Sequence, residues 1–199
     1  MSRMFLAPCL PPLAILVVAG AAWLGHGPAC ALLILAGLAL VAAQIAWQDL
    51  ATFTISDVAV VALGALGLAA RGAEAAAFGL PPLTALGFAT LDGILCGAAF
   101  LAVREGFYRW RGHDGLGFGD VKLALAGGIL VGTEGFAWTV LAASLGGLAV
   151  ALWPRGGGEE SPEPRKLAYG ALLAPCLWLV WLLNAGLPQL RAGALPGGG

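Results

Sequence analysis

MFLAPCLPPLAILVVAGAAWLGHGPACALLILAGLALVAAQIAWQD, residues 4–49, contains one side chain able to carry a charge near neutral pH, His26, before it reaches an acid at Asp49. About 20 apolar residues suffice to cross the hydrocarbon core of a bilayer, so this stretch can cross twice. The rest of the chain has the same character. Of its 199 residues 60% are hydrophobic and 11% charged, with a mean hydropathy of +0.90, whereas ordinary soluble domains are roughly a quarter charged. A cleavable signal peptide is the competing reading of residues 1–24, since Arg3 precedes an apolar run; the length of that run, and the second one that follows almost at once, favour a crossing. The 31 glycines, together with abundant alanine, fit helices whose backbones approach closely in lipid. The expected fold is therefore all-α, a polytopic integral membrane protein of six or seven transmembrane helices.

Apolar runs bounded by charge, Pro and Gly predict crossings at 4–24, 28–47, 55–70, 82–103, 121–133, 135–153 and 167–187. The third and fifth are short for a core of about 30 Å at 1.5 Å per residue, and each follows closely on an aspartate. Extending the third backward to Asp49 would let it span. The fifth stays short even from Asp120, which predicts a tilted or partly submerged helix that begins in a glycine-rich turn. Lys and Arg in short loops favour the cytoplasm. With the N-terminus inside, Arg3, Arg104, Arg109, Arg111, Lys122, Arg155, Arg165 and Lys166 fall on the cytoplasmic side, and only Arg71 and Arg191 outside. That orientation also puts Asp49 and Asp120 on one, cytoplasmic, face.

The whole chain, 1–199, reads as a single membrane-embedded domain. Residues 154–166, including RGGGEESPEPRK, have a composition suited to a mobile cytoplasmic loop, and 191–199 to a disordered tail. A net charge of -1 and the absence of a basic run argue against a nucleic-acid partner. Cys9, Cys30, Cys96 and Cys176 are widely spaced in apolar surroundings, which suits packing thiols better than disulfides or a zinc site.

Two stretches carry chemistry. In GHDGLGFGDVKLALAGG, residues 112–128, glycines at 115, 117 and 119 run straight into Asp120. A protease acting on a chain that emerges from a membrane helix needs backbone close to its carboxylates, and glycine permits that approach. The alternative is a loop that caps a helix, with Asp120 near the positive end of its dipole. The second stretch, AWQDLATFTISD, residues 46–57, closes the second apolar run. One carboxylate cannot do aspartyl-protease chemistry alone. Two that share a proton across a water can, one as general base on the water and the other as donor to the carbonyl oxygen. Like charges held close split such a titration between the pair.

GLGFGDVKL resembles the GxGD signature of the prepilin peptidase family (type IV leader peptidases, GxGD-type membrane aspartyl proteases). QDLATFTIS resembles that family's other catalytic segment, in which an Asp is followed by Ile-Pro-Asn. The similarity runs from about Ile45 to the last crossing, with SLGG at 144–147 and KLAYGALLA at 166–174 in family-like places. It implies a catalytic dyad of Asp49 and Asp120, an active-site loop with signature glycines Gly117 and Gly119, and a matching lysine, Lys122, that holds the loop at the interface or serves as a simple positive-inside anchor. Tyr169-Gly170 resembles the Pro-Tyr-Gly of short members that serve tight-adherence (Flp-type) pili, with Ala168 in place of the proline. Ser56 stands where Pro is common and Asp57 where Asn is; Ser56 can still cap a helix. The cytoplasmic insertion with paired cysteines that bifunctional members carry is absent, so methyltransferase activity is not expected.

The resemblance implies a hydrolase of the bacterial inner membrane that cleaves prepilins or pseudopilins after a glycine at the cytoplasmic face. It needs no metal or organic cofactor, and its partners are the pilin substrate and membrane lipid. An archaeal preflagellin peptidase would be the nearest enzymatic neighbour. Two readings from other classes compete: a small proton-coupled transporter using Asp49, Asp92 and Asp120 as a relay, and an inactive pilus assembly factor. Asp92, in mid-crossing, is a hydrogen-bonded packing residue or a third acid near the site. Asp57 is a helix N-terminal charge, or a substitute for Asp49. His113 and Asp114 fall short of a metal site, and His26 reads as an extracytoplasmic loop residue. Trp47, Trp110, Trp153 and Trp181 fall near predicted helix ends, as an interfacial belt requires.

Overall fold

The computed structural model describes residues 28–112, 116–152 and 168–186. The predicted crossing at 4–24, His26, His113, Asp114, the 154–166 loop and the 191–199 tail lie outside them. The described residues form helices and no strand: α1 (Pro28–Thr52), α2 (Asp57–Ala77), α3 (Pro82–Arg111), α4 (Phe118–Leu152) and α5 (Tyr169–Trp181), the last followed by a π turn, Leu182–Gly186. Four of these, α1 to α4, are long and apolar enough to cross a membrane, and α5 is a shorter apolar helix. The all-α membrane architecture read from composition is the one found.

Helix boundaries follow local chemistry. Phe53 has φ 53, in the left-handed region; such a residue ends a helix because the next N–H can no longer reach back into the ladder. It closes α1 just past Asp49. α2 starts at Asp57, whose carboxylate sits in the first turn, where the helix dipole favours negative charge. The expectation that this helix reaches back to Asp49 is therefore wrong. Its length comes from the other end, where it runs on through Arg71 to Ala77. Ser56 occupies the N-cap position but its hydroxyl makes no cap hydrogen bond. α3 opens with Pro82 at its first position and ends at Gly112, φ 73, the Pro-first, Gly-last order that suits both residues.

α4 is two helices. At Gly132 (φ 75, ψ 172) the backbone leaves helical geometry, in a region only glycine adopts at low cost. A straight helix would separate Ser144 from Asp120 by about 36 Å. Instead the Ser144 hydroxyl lies 3.4 Å from the Tyr169 phenol, which interacts electrostatically with Asp120. A Cβ on Gly127 would come within 3.1 Å of Phe136. The chain thus folds back at Gly132, and its first limb, 118–131, is only about 21 Å long. This limb is the short fifth run of the sequence, beginning directly after a glycine-rich turn as expected, and the second limb is the sixth run.

The first limb is the centre of the bundle, with Val121, Leu123, Ala124, Ala126, Ile129 and Leu130 all buried. It packs against α2, α3 and α5, while α1 packs against α2 and α5. Small residues allow this. A Cβ on Gly128 would stand 2.7 Å from the Asp92 carbonyl oxygen and 2.8 Å from Cys96 Sγ, so the α4 backbone at Gly128 packs directly on the backbone and a side chain of α3. Cys96 is a buried free thiol and Cys176 a half-buried one, as expected of packing cysteines. Trp47 and Trp110 are exposed near helix ends, in keeping with a belt, but Trp181 is 2% exposed and belongs to the core. Its place at the end of an apolar run concealed that α5 is covered by α1.

Gly132→Ala should cost about 1–3 kcal/mol from backbone strain alone, with added crowding because its Cβ would lie 2.9 Å from an Arg71 nitrogen. Gly87→Ala, with nothing near its Cβ, is the control. Thermal unfolding of the purified proteins in detergent checks this: the first variant should melt several degrees lower and the second should not.

Candidate active site

Asp49 lies in the last turn of α1 and is 6% exposed. A buried carboxylate needs donors. One comes from α5: the Ala171 N–H donates to Asp49 Oδ2 at 2.9 Å. The first N–H groups of a helix have no intrahelical acceptor, and the residue at the N-cap of α5, Ala168, makes no side-chain cap hydrogen bond. Asp49 therefore acts as a cap supplied by another helix. Gly170 makes the approach possible, since a Cβ there would lie 3.0 Å from Asp49 Oδ2 and 2.8 Å from Ile55 Cδ1.

Asp120 is in the first turn of α4. Its N–H donates to the Gly117 carbonyl at 3.1 Å, and a Cβ on Gly117 would stand 3.3 Å from its Oδ2. The turn thus folds tightly over its own acid. Gly119 faces Ile55, with a virtual Cβ–Cβ distance of 3.2 Å. Ile55, in the break between α1 and α2, is therefore wedged between Gly119 on one side and Gly170 on the other. That wedge draws Asp49 and Asp120, 71 residues apart in sequence, to one end of the bundle. Their carboxyl groups are near enough to interact electrostatically.

Around this centre stand two further features. Lys122 Nζ is 2.6 Å from Asp57 Oδ1, linking the N-terminal ends of α4 and α2, and 5.2 Å from the centre of the Phe118 ring. Tyr169 and Ser144, from the two family-like segments of the C-terminal half, meet beside the acids. Asp57 is accordingly a helix N-terminal charge with a lysine partner, while Asp49 is the acid that faces the centre.

Asp92 is elsewhere. It accepts a hydrogen bond from Thr133 Oγ1 at 2.6 Å and lies 3.7 Å from an Arg71 nitrogen, while Arg71 reaches Glu74 at 3.5 Å. This second polar group gathers at the Gly132 bend, the whole first limb of α4 away from Asp120. A pocket of about 240 Å3 opens beside it, walled by Arg71, Glu74, Phe78 and Phe88 among others, and none of the dyad residues lines it. Of the two readings of Asp92, the hydrogen-bonded packing residue is the one its surroundings match.

Sequence reasoning picked out both acids, the loop glycines and Lys122. It missed the Ala171 N–H and the wedge role of Ile55. A backbone donor has no side-chain signature, and an isoleucine in an apolar chain carries no signal. Gly170 stood in a family-like segment, but its function as the space for Asp49 needed coordinates.

A family model described as the type IV leader peptidase family matches residues 33–152. Comparison with curated proteins and with solved structures gives no match.

Gly170→Ala should displace Asp49 or Ile55 and lower peptidase activity by at least about tenfold, since a misplacement of about 1 Å can cost 100-fold. The amount of protein in the membrane should be unchanged. Gly146→Ala, whose Cβ would make only an ordinary 3.8 Å contact with Leu172, should match wild type in the same assay.

Proposed function

The chain belongs to the type IV leader peptidase family, and from this we propose that it is an aspartyl endopeptidase that removes the leader of type IV prepilins or pseudopilins at the cytoplasmic membrane face. Asp49 and Asp120 share one proton. The ionised carboxylate takes a proton from a water molecule as its oxygen attacks the scissile carbonyl carbon, and the protonated partner donates to the carbonyl oxygen. The tetrahedral diol then collapses. One diol hydroxyl gives its proton to the ionised carboxylate as the carbonyl re-forms and the C–N bond breaks, the leaving amine takes a proton from the protonated carboxyl, and the dyad again holds one proton. All of this needs only two carboxyls and a water.

The observation that carries the reading is the Ile55 wedge, which brings two acids from distant helices together beside the glycines of the turn. The glycines let the turn close over Asp120 and against Ile55. The inner-membrane location rests on the family, and the cytoplasmic orientation on the distribution of Lys and Arg. Among the described residues, Arg104, Arg109, Arg111 and Lys122 follow or precede the turn that carries Asp120, while Arg71 lies with Asp92 near the bend. In the transporter reading Asp92 relays protons with the other two acids. It has against it the length of apolar helix between Asp92 and the dyad, and the partners Asp92 already holds.

Cleavage of a co-expressed prepilin in membranes, read as a mass shift, tests the proposal. Asp49→Asn and Asp120→Asn should each lower the rate at least about 1000-fold, and Asp92→Asn should leave it within a few fold of wild type. Equal loss in all three would support a relay. No cleavage by the wild type with any prepilin, together with intact pilus assembly in the Asp49 and Asp120 variants, would support an inactive assembly factor.

A further inference from the structure

Asp49 and Asp120 are each supported from a different side, Asp49 by α5 and Asp120 by its own turn. Neither support sets the distance between them. That distance depends on how the α1–α2 break, which carries Ile55, is held against the turn before α4, which carries Gly119. The first link is apolar, Ile55 against Gly119. The second is the Asp57–Lys122 ion pair at 2.6 Å. The two links join the same two segments close together: Asp57 is two residues beyond Ile55, and Lys122 three beyond Gly119.

We propose that the Asp57–Lys122 pair is a latch that sets the register of the two acid-bearing segments, and that both residues are positioning residues for peptide cleavage. The inference rests on the peptidase reading given above. Lys122 is well placed for such a role because its ammonium also lies over the face of Phe118, whose ring is approached in turn by Arg104 of α3 at 5.8 Å from its centroid. The lysine thereby ties α2, α4 and the glycine turn together. On the α2 side the anchor is Asp57 itself, because the Ser56 hydroxyl makes no cap bond to fix that helix start. Asp57 is 71% exposed and Lys122 37%, so their link contributes little to overall stability. Its effect is local: it decides where Asp120 stands relative to Asp49.

The chemistry of the pair orders its substitutions. Asparagine at 57 keeps an oxygen that can accept from the ammonium, whereas alanine keeps none. Methionine at 122 keeps the apolar stem against Phe118 and removes the charge.

The test measures steady-state cleavage of a synthetic prepilin peptide by purified wild type, Asp57→Ala, Asp57→Asn, Lys122→Met and the Asp57→Ala/Lys122→Met double variant. Amide hydrogen exchange of residues 117–119 is followed in the same samples without substrate. A surface pair of this kind is expected to supply about twofold to fivefold in kcat. Each of the Ala and Met variants should lose that much with KM unchanged. The double variant should lose no more than the worse single, since both remove one link, and Asp57→Asn should recover most of the rate. Exchange at 117–119 should quicken in both single variants.

Wild-type kcat and exchange in the single variants, or losses that multiply in the double, would overturn the latch. A raised KM with kcat intact would also overturn it and make Asp57 a substrate contact instead. If the wild type cleaves nothing, the peptidase reading falls, and the exchange measurement still decides whether the pair holds the turn.

Discussion

The Asp49 carboxylate receives the Ala171 N–H across 122 residues of sequence, and much of the arrangement follows from that one bond. A buried acid without donors is costly, and so is a helix start without acceptors. Each meets the other's need. The consequence is that α5 must begin beside the end of α1, which fixes how the C-terminal half of the chain closes on the N-terminal half. Gly170 is required by the same contact, because any larger residue would occupy the space the carboxylate uses.

Placing the second acid is the task of α4. Its first limb is too short to cross a bilayer and is buried along most of its surface, so it is held by α2, α3 and α5. The fold-back at Gly132 gives that short limb two fixed ends. At one end the glycine turn presents Asp120 to the Ile55 wedge. At the other, Asp92 accepts from Thr133 just past the bend while Arg71 stands beside it. Charge inside an apolar bundle is tolerated when it is paired, and here the paired charges sit where the backbone leaves helical geometry. The molecule thus holds its carboxylates at two separate places, Asp49 and Asp120 at the turn end and Asp92, beside Arg71, at the bend.

The sequence made legible whatever depends on composition and on short spacing. The membrane class, the all-α fold, the crossings at 28–47 and 82–103, which the structure extends to Thr52 and Arg111, and the split of the 118–152 region into a short and a long run were readable because apolar length and glycine position are local properties. Asp49 and Asp120 were legible because each lies in a segment whose residue types resemble those of a known family. The backward extension of α2 failed for a local reason as well: Phe53, an ordinary hydrophobic residue, adopts a left-handed conformation that nothing in its side chain announces. Trp181 was misplaced because an aromatic residue near a helix end looks the same whether it meets lipid headgroups or another helix.

By itself, then, the sequence determined that the chain enters a membrane as helices, since burial of apolar length is decided residue by residue, and it pointed to Asp49 and Asp120 through the segments that carry them. Only the tertiary structure decided that those acids lie at one end of the bundle around Ile55, that the Ala171 N–H holds Asp49, that Asp57 belongs to Lys122, and that Asp92 belongs to the bend. Each of these is a contact between segments far apart in the chain. Their partners are chosen by the space that packed helices leave, which no single segment encodes.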